Sequence, residues 1–353
     1  MGVRIASVEV VPYALPFREP YVTARGTLER REMALLRLRS DDGLVGLGEA
    51  VPLSLRGGPT LERLVAELEG LGGRDALDEP TLRGGTVALS APARCAALTA
   101  LLDLRGRRAS AEGLTGAGEV QPVECNATLV AGEPAAVAAD ALAWAGEGFS
   151  TFKLKLGVDD DVGQVRAVRE ALGRDARIRV DANAVWDVAR ATRTLAALEP
   201  YDVELAEQPV ATLEQSAAVA RETAIPIAGD ESVASRADAS RAVELGACAL
   251  TGVKLAKVGG PEQAIEIAEL LPAFLASALD GPVGIAAAAQ VAQTLDGASG
   301  PGERLAHGLA TQRLFASTVA AVECELRDGL LHSPGGPGLG VEIDEAALEA
   351  HRI

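Results

Sequence analysis

The sequence predicts an α/β fold, a (β/α) barrel carrying a smaller α+β domain. Three observations predict it. From Val123 onward, short apolar runs alternate with helical stretches. A charged residue closes successive apolar runs at Lys155, Asp181, Glu207, Asp230 and Lys254, in steps of 26, 26, 23 and 24 residues. Each step is close to one strand, one helix and two short loops. The chain of 353 residues also exceeds a barrel of roughly 200 to 250 residues, and its first third does not share the rhythm.

Taken in order, Val3–Tyr13 and Met33–Arg39 alternate like strands, and Asp41-Asp-Gly43 turns the chain into Leu44–Glu49. Helices are expected near Thr60–Gly70 and Ala91–Arg107. The polar stretch from Phe17 to Arg31, with Arg18, Arg25 and Gly26, reads as a loop, either a solvated connection or a substrate lid.

The barrel rhythm follows. Expected strands are Val123–Leu129, Phe152–Leu156, Arg177–Val180, Val203–Ala206, Ile225–Ala228, Cys248–Val253, Ala273–Leu279 and Arg304–Leu309. Helices between them are expected at Pro134–Ala145, Asp160–Leu172, Asp187–Leu198, Leu213–Glu222, Arg236–Leu245, Pro261–Leu271 and Val283–Leu295. Beyond Phe315 the rhythm stops, and Pro334-Gly-Gly-Pro-Gly-Leu-Gly340 is a loop expected to return to the first domain. The expected division is therefore 1–115 for the α+β domain, 116–315 for the barrel and 316–353 for the returning segment.

A formal charge of -17 argues against nucleic acid or an anionic membrane as partner. The start lacks the charged head and apolar core of a secretory signal, and Pro272, Asp280 and Pro282 interrupt the most apolar region, so a cytoplasmic protein is expected. Cys95, Cys125, Cys248 and Cys324 have no metal-binding spacing and read as buried thiols. Oligomeric state is not legible.

The chemistry lies in the charged strand ends. Lys153 and Lys155, two apart on one strand, share a face, which is costly unless anions stand opposite. Asp181, Glu207 and Asp230 supply them, and three carboxylates without histidine or cysteine are hard oxygen ligands suited to Mg2+. Such a cation stabilises the negative charge that forms when the carbon beside a substrate carboxylate loses its proton. A lysine beside a second lysine is easier to deprotonate and serves as the base. Alone, an Asp at a strand end is ordinarily a helix N-cap and a Lys a solvated group. Five charged groups at one phase of consecutive units outweigh that reading.

At these residues the sequence resembles the enolase superfamily, in its muconate-lactonising-enzyme-like subgroup. The pattern KxK, D, E, D, K stands here as Lys153, Lys155, Asp181, Glu207, Asp230 and Lys254. The resemblance spans nearly the whole chain and implies an α+β capping domain on a modified barrel of seven full βα units plus an eighth strand. It implies that Asp181, Glu207 and Asp230 bind Mg2+, that Lys155 and Lys254 are the acid/base lysines, and that Lys153 tunes Lys155. Asn183 and Glu231 would support the ligands, and Lys257 would belong to a structural turn.

The subgroup includes o-succinylbenzoate synthases, dipeptide epimerases, N-succinylamino acid racemases and cycloisomerases, all acting on small carboxylates. Epimerases of the subgroup carry Asp-x-Asp on the eighth strand, and Leu305–Thr311 has none. Ala276–Ala286 instead resembles the seventh strand of o-succinylbenzoate synthases, with Gly281-Pro282 in place of Thr-Ser, and His307–Thr311 resembles their eighth. The expected activity is therefore Mg2+-dependent dehydration of 2-succinyl-6-hydroxy-2,4-cyclohexadiene-1-carboxylate in menaquinone biosynthesis, with Ser277 and Asp280 touching substrate. Racemase, epimerase or cycloisomerase activity on the same site is the alternative, and a non-catalytic barrel the remaining one.

Overall fold

The computed structural model describes residues 4–23, 26–54, 57–72, 81, 88–111, 113, 120–158, 160–298 and 304–353. Its N-terminal part is an antiparallel sheet of β1 (Ile5–Thr23), β2 (Gly26–Ser40) and β3 (Val45–Ala50). The run Met33–Leu38 is apolar without strict alternation because both faces of β2 are covered. Ala34, Leu36 and Leu38 pack with α1 (Leu61–Glu69) and α2 (Ala91–Ala109), while Met33 and Leu35 join the barrel core. At Gly48 a Cβ would lie 2.0 Å from the Ala96 carbonyl oxygen, so glycine is what lets α2 cross β3 closely.

The expected loop from Phe17 to Arg31 is corrected. β1 and β2 run through it as one long hairpin, paired from Leu15 with Arg31 to Thr23 with Gly26. Phe17 stacks on Tyr21 and on Phe315, at centroid distances of 5.5 and 5.2 Å, which fixes this arm against the C-terminal segment. Arg25 lies outside the described residues.

The second layer is a parallel sheet. In chain order its strands are β5 (Asn126–Leu129), β6 (Thr151–Lys155), β7 (Arg177–Asp181), β8 (Val203–Glu207), β9 (Ile227–Gly229), β10 (Leu250–Val253) and β11 (Ala273–Leu275), each beside its predecessor. Connecting them are α3 (Pro134–Gly146), α4 (Asp161–Leu172), α5 (Val188–Leu198), α6 (Leu213–Ala220), α7 (Arg236–Leu245), the short α8 (Leu255–Val258) and α9 (Pro261–Ala268). Side chains of Asp160, Asp187, Thr212 and Ser235 cap α4 to α7, accepting from backbone amides of the first turn.

Two expectations at the barrel's end are corrected. The seventh strand stops at Leu275 instead of Leu279, because Ser277 and Asp280 close a turn: Ser277 Oγ and the Ala278 amide both donate to Asp280 Oδ2, at 2.8 and 2.7 Å. The eighth strand shrinks to single bridges, His307 with Cys125 and Gly308 with Ala276, which still close the ring between β5 and β11. Arg179, wholly buried inside the barrel, reinforces that closure: it pairs with Glu204, donates to the Ala306 carbonyl at 2.6 Å and lies over the Phe274 ring. α10 (Pro282–Ala298) follows the turn.

The expected strand Val123–Leu129 is also split. β4 (Val123–Glu124) pairs with β14 (Leu330–His332), and β14 with β13 (Glu325–Arg327), at the barrel's foot. β12 (Ala320–Val322) pairs with β15 (Glu342–Ile343), and α11 (Glu345–Ala350) ends the chain. This segment returns to the antiparallel sheet through Phe315 bridged to Phe17 and Arg352 to Tyr13. All four cysteines are buried and free. Among the described residues, no helix is long and apolar enough to cross a membrane.

Candidate active site

Register places the charged residues together. On β6, β7 and β8, Lys155 pairs with Asp181 and Asp181 with Glu207, so three strand ends stand level. Asp230 follows β9 and Lys254 follows β10, on the same rim. The three acids are 0 to 1% exposed, and none caps a helix, since Asp187 and Ser235 take that role for α5 and α7.

Ammonium groups lie directly on these acids. Lys153 Nζ is 2.9 Å from Asp181 Oδ2 and 2.7 Å from Glu207. Lys155 Nζ is 2.6 Å from Asp181 Oδ2 and 2.9 Å from Asn183 Oδ1. Lys254 pairs with Asp230 from the other side. Lys257, one helical turn further on, reaches the carbonyl of Asp230 and stands 2.9 Å from its Oδ1, so the expected structural lysine touches the cluster as well.

The electrostatics follow from burial against pairing. Burial alone would lower Lys153, but Asp181 and Glu207 outweigh it and hold its ammonium well above the usual range. Burial likewise raises Asp181, yet Lys153 and Lys155 pull it below the ordinary carboxylate range. Glu207 goes the other way: burial pushes it up, and the Asp181 and Asp230 carboxylates add to that against Lys153. Burial also pushes Lys257 down.

Among the described residues, no three Asp, Glu, His or Cys side chains converge tightly enough to hold a metal ion. Each of the three expected ligands is drawn onto a lysine instead. The donor set nevertheless has the chemistry of a hard divalent site: three buried carboxylates from adjacent strand ends, one of them pushed up in pKa by burial first and then by the other two. Mutual repulsion of that kind is what a divalent cation relieves.

The supporting residues are placed as follows. Asn183 accepts from Lys155, its amide donates to Asp181 Oδ1 at 2.9 Å, and its Nδ2 reaches Glu231 Oε1 at 3.4 Å. Ser277 and Asp280 lie on the rim after β11, their polar atoms engaged with one another in the turn. A cavity of about 370 Å³ between β1 and residues 312–318 has Asp280 in its wall but none of the lysines.

Gln208 was missed from sequence. Buried directly after Glu207, with φ +39°, it accepts at Oε1 from the Asp230 amide at 2.7 Å and from the Ser232 amide and hydroxyl. Its own amide donates to Ala228 and its carbonyl accepts from Ala184, so one residue links three of the strand ends that carry the acids. Its only sequence signal is its place after Glu207.

Comparison with known proteins identifies the family. Residues 5–112 match the family described as mandelate racemase / muconate lactonizing enzyme, N-terminal domain, and residues 136–347 match the enolase C-terminal domain-like family. A hydrophobic dipeptide epimerase of Enterococcus faecalis is 31% identical over 280 residues, covering 76% of this chain and 79% of that protein. An o-succinylbenzoate synthase of Thermobifida fusca is 38% identical over 162 residues, covering 45% of this chain and 50% of that protein. Among solved structures, a muconate lactonizing enzyme from Pseudomonas fluorescens, complexed with muconolactone, superposes with a TM-score of 0.91 at 26% identity, covering both chains fully. A dipeptide epimerase from Enterococcus faecalis V583, complexed with Mg and the dipeptide L-Leu-L-Tyr, gives 0.86 at 27% identity, covering 97% of this chain and 100% of that one.

Proposed function

This chain belongs to the enolase superfamily, in its muconate-lactonizing-enzyme-like subgroup, and from that premise we propose that it is a Mg2+-dependent o-succinylbenzoate synthase. The observation that carries the choice within the subgroup is the barrel's closing segment. His307, Gly308, Leu309, Ala310 and Thr311 bring no carboxylate to the rim that could hold the ammonium group of a dipeptide. His307 is itself engaged elsewhere, accepting at Nδ1 from the Leu275 amide at 2.9 Å and facing Asp296 with Nε2. The identity of 38% to a synthase over nearly half the chain supports the same choice.

Asp181, Glu207 and Asp230 would hold the metal, which when bound supplies positive charge to the substrate carboxylate as its neighbouring carbon loses a proton. Lys155 takes that proton. The electron pair of the broken C–H bond forms the new ring double bond as the C–O bond breaks, and Lys155 returns the proton to the departing hydroxyl, which leaves as water. Lys254, on the opposite side of the carboxylate row, remains a cation facing the developing negative charge. Lys153 stands between Asp181 and Glu207 and favours the ionised form of Asp181. Asn183 and Glu231 brace Lys155 and Asp181.

The test is a substrate panel with Mg2+, in which the cyclohexadiene acid, N-succinyl amino acids, dipeptides and muconates are compared by kcat/KM. The synthase reading expects the cyclohexadiene acid to lead by about 10² or more. A dipeptide or muconate in first place would replace it with an isomerase on the same site.

A further inference from the structure

Two buried ionisable residues of the antiparallel sheet reach the barrel rim. Arg31 on β2, 8% exposed, donates through Nη2 to the carbonyls of Pro52 and Ala278, both at 2.8 Å, and through Nε to the Leu279 carbonyl at 3.2 Å. Glu49 on β3, 5% exposed, accepts at Oε1 from the Gly281 amide at 2.6 Å and at Oε2 from the Tyr13 hydroxyl at 2.7 Å. The Val283 amide at the start of α10 also faces Glu49. Burying an ionic group is costly, so this pair calls for a reason.

The reason lies in what they hold. Leu279 has φ +66°, a left-handed conformation that a branched side chain adopts only when its surroundings impose it. Two of the three carbonyls taken by Arg31 flank that position. Glu49 fixes the next amide but one, and glycine at 281 leaves room for its carboxylate: a Cβ would lie 2.5 Å from the Tyr13 oxygen and 2.7 Å from Glu49 Oε2, displacing both side chains. The same guanidinium grips Pro52, at the head of the segment that joins β3 to α1. A planar fork of fixed donors sets the spacing of several carbonyls as a single lysine ammonium does not.

We propose that Arg31 and Glu49 are positioning residues for substrate: they lock residues 277–281 and Pro52 into one rigid wall of the barrel mouth, and thereby determine which carbon skeleton the mouth accepts beyond the reacting carboxylate. The proposal rests on the barrel mouth being the substrate site. It places the selectivity of this chain partly in residues that act through others, since Arg31 and Glu49 hold the turn in which Ser277 Oγ donates to Asp280 Oδ2.

The test compares Arg31→Lys, Glu49→Leu and Glu49→Gln in the full chain by steady-state kinetics, Mg2+ calorimetry and hydrogen exchange. The substrate is whichever of the four panel classes the wild type turns over, so an incorrect synthase reading leaves the test standing. Arg31→Lys and Glu49→Leu should raise KM about 10-fold or more with kcat changed less than about threefold. Exchange across 277–283 should rise about 10-fold while β6 to β8 and the Mg2+ affinity stay within about twofold. Glu49→Gln, which keeps an acceptor for Gly281, should restore KM to within about threefold of wild type. KM and local exchange near wild-type values in both disruptive variants would overturn the proposal. So would a rise in KM matched by equal loss of Mg2+ affinity and protection throughout the barrel, which marks a purely structural pair. If the wild type turns over none of the four classes, the synthase reading fails and the local exchange comparison alone decides.

Discussion

Lys155 Nζ lies 2.6 Å from Asp181 Oδ2, across one step of the parallel sheet whose register pairs these two residues directly. The proposed base and the first expected metal ligand are therefore neighbours by backbone geometry, before any side-chain choice. On the far side, Lys254 and Asp230 meet through their side chains just beyond the ends of β10 and β9. Glu207 lies between, so the constellation runs lysine, acid, acid, acid, lysine around one rim.

Removal of Lys155 should abolish proton transfer. Lys155→Ala should lower kcat by about 10³-fold or more, near the upper range for a general base, and should stop exchange of the substrate α-proton with solvent deuterium. Lys254→Arg keeps the cation and should retain dehydration. If Lys254→Arg instead blocks exchange in one direction only, the site works as a racemase.

Lys153 is 7% exposed and neutralises two buried acids at once. Lys153→Met would leave Asp181 and Glu207 without that cation, and the expected loss of stability at pH 7 without added metal is about 3–5 kcal/mol. Urea unfolding midpoints would measure it. A loss under about 1 kcal/mol would show that the acids find other partners.

Glu49 predicts a pH dependence. Burial, then the Asp280 carboxylate, push its carboxyl up from 4.5 to about 7. The folded chain then keeps a proton that the unfolded chain releases near 4.5, so this group's contribution is fully present below that value and is lost as pH rises through about 7. Unfolding free energy should fall by about 3 kcal/mol or less over that window, and Glu49→Gln should flatten the fall. Denaturant titrations at three pH values suffice, and an unchanged slope in Glu49→Gln would remove Glu49 as its source.

The barrel was legible because a charged residue closes each apolar run at a constant phase, as Asp181, Glu207 and Asp230 do. A strand end is a local feature, and a steady interval turns it into a three-dimensional statement. The hairpin from Phe17 to Arg31 was illegible because its pairing partners lie on its own two arms and its anchor, Phe315, lies almost three hundred residues on. Arg31 and Glu49 were hidden likewise: their partners at Ala278, Leu279 and Gly281 are separated by over two hundred residues. Ser277 looked like a strand residue, but its hydrogen bonds with Asp280 close a turn just after β11. Gln208 looked like a spacer after Glu207, although it joins three strand ends.

The most direct test is turnover of the cyclohexadiene acid by the purified chain with Mg2+, with and without EDTA, followed by loss of substrate absorbance beside Lys155→Ala. The expected result is rapid conversion that EDTA abolishes and that Lys155→Ala lacks. Conversion untouched by EDTA, or retained in Lys155→Ala at near the wild-type rate, would contradict it.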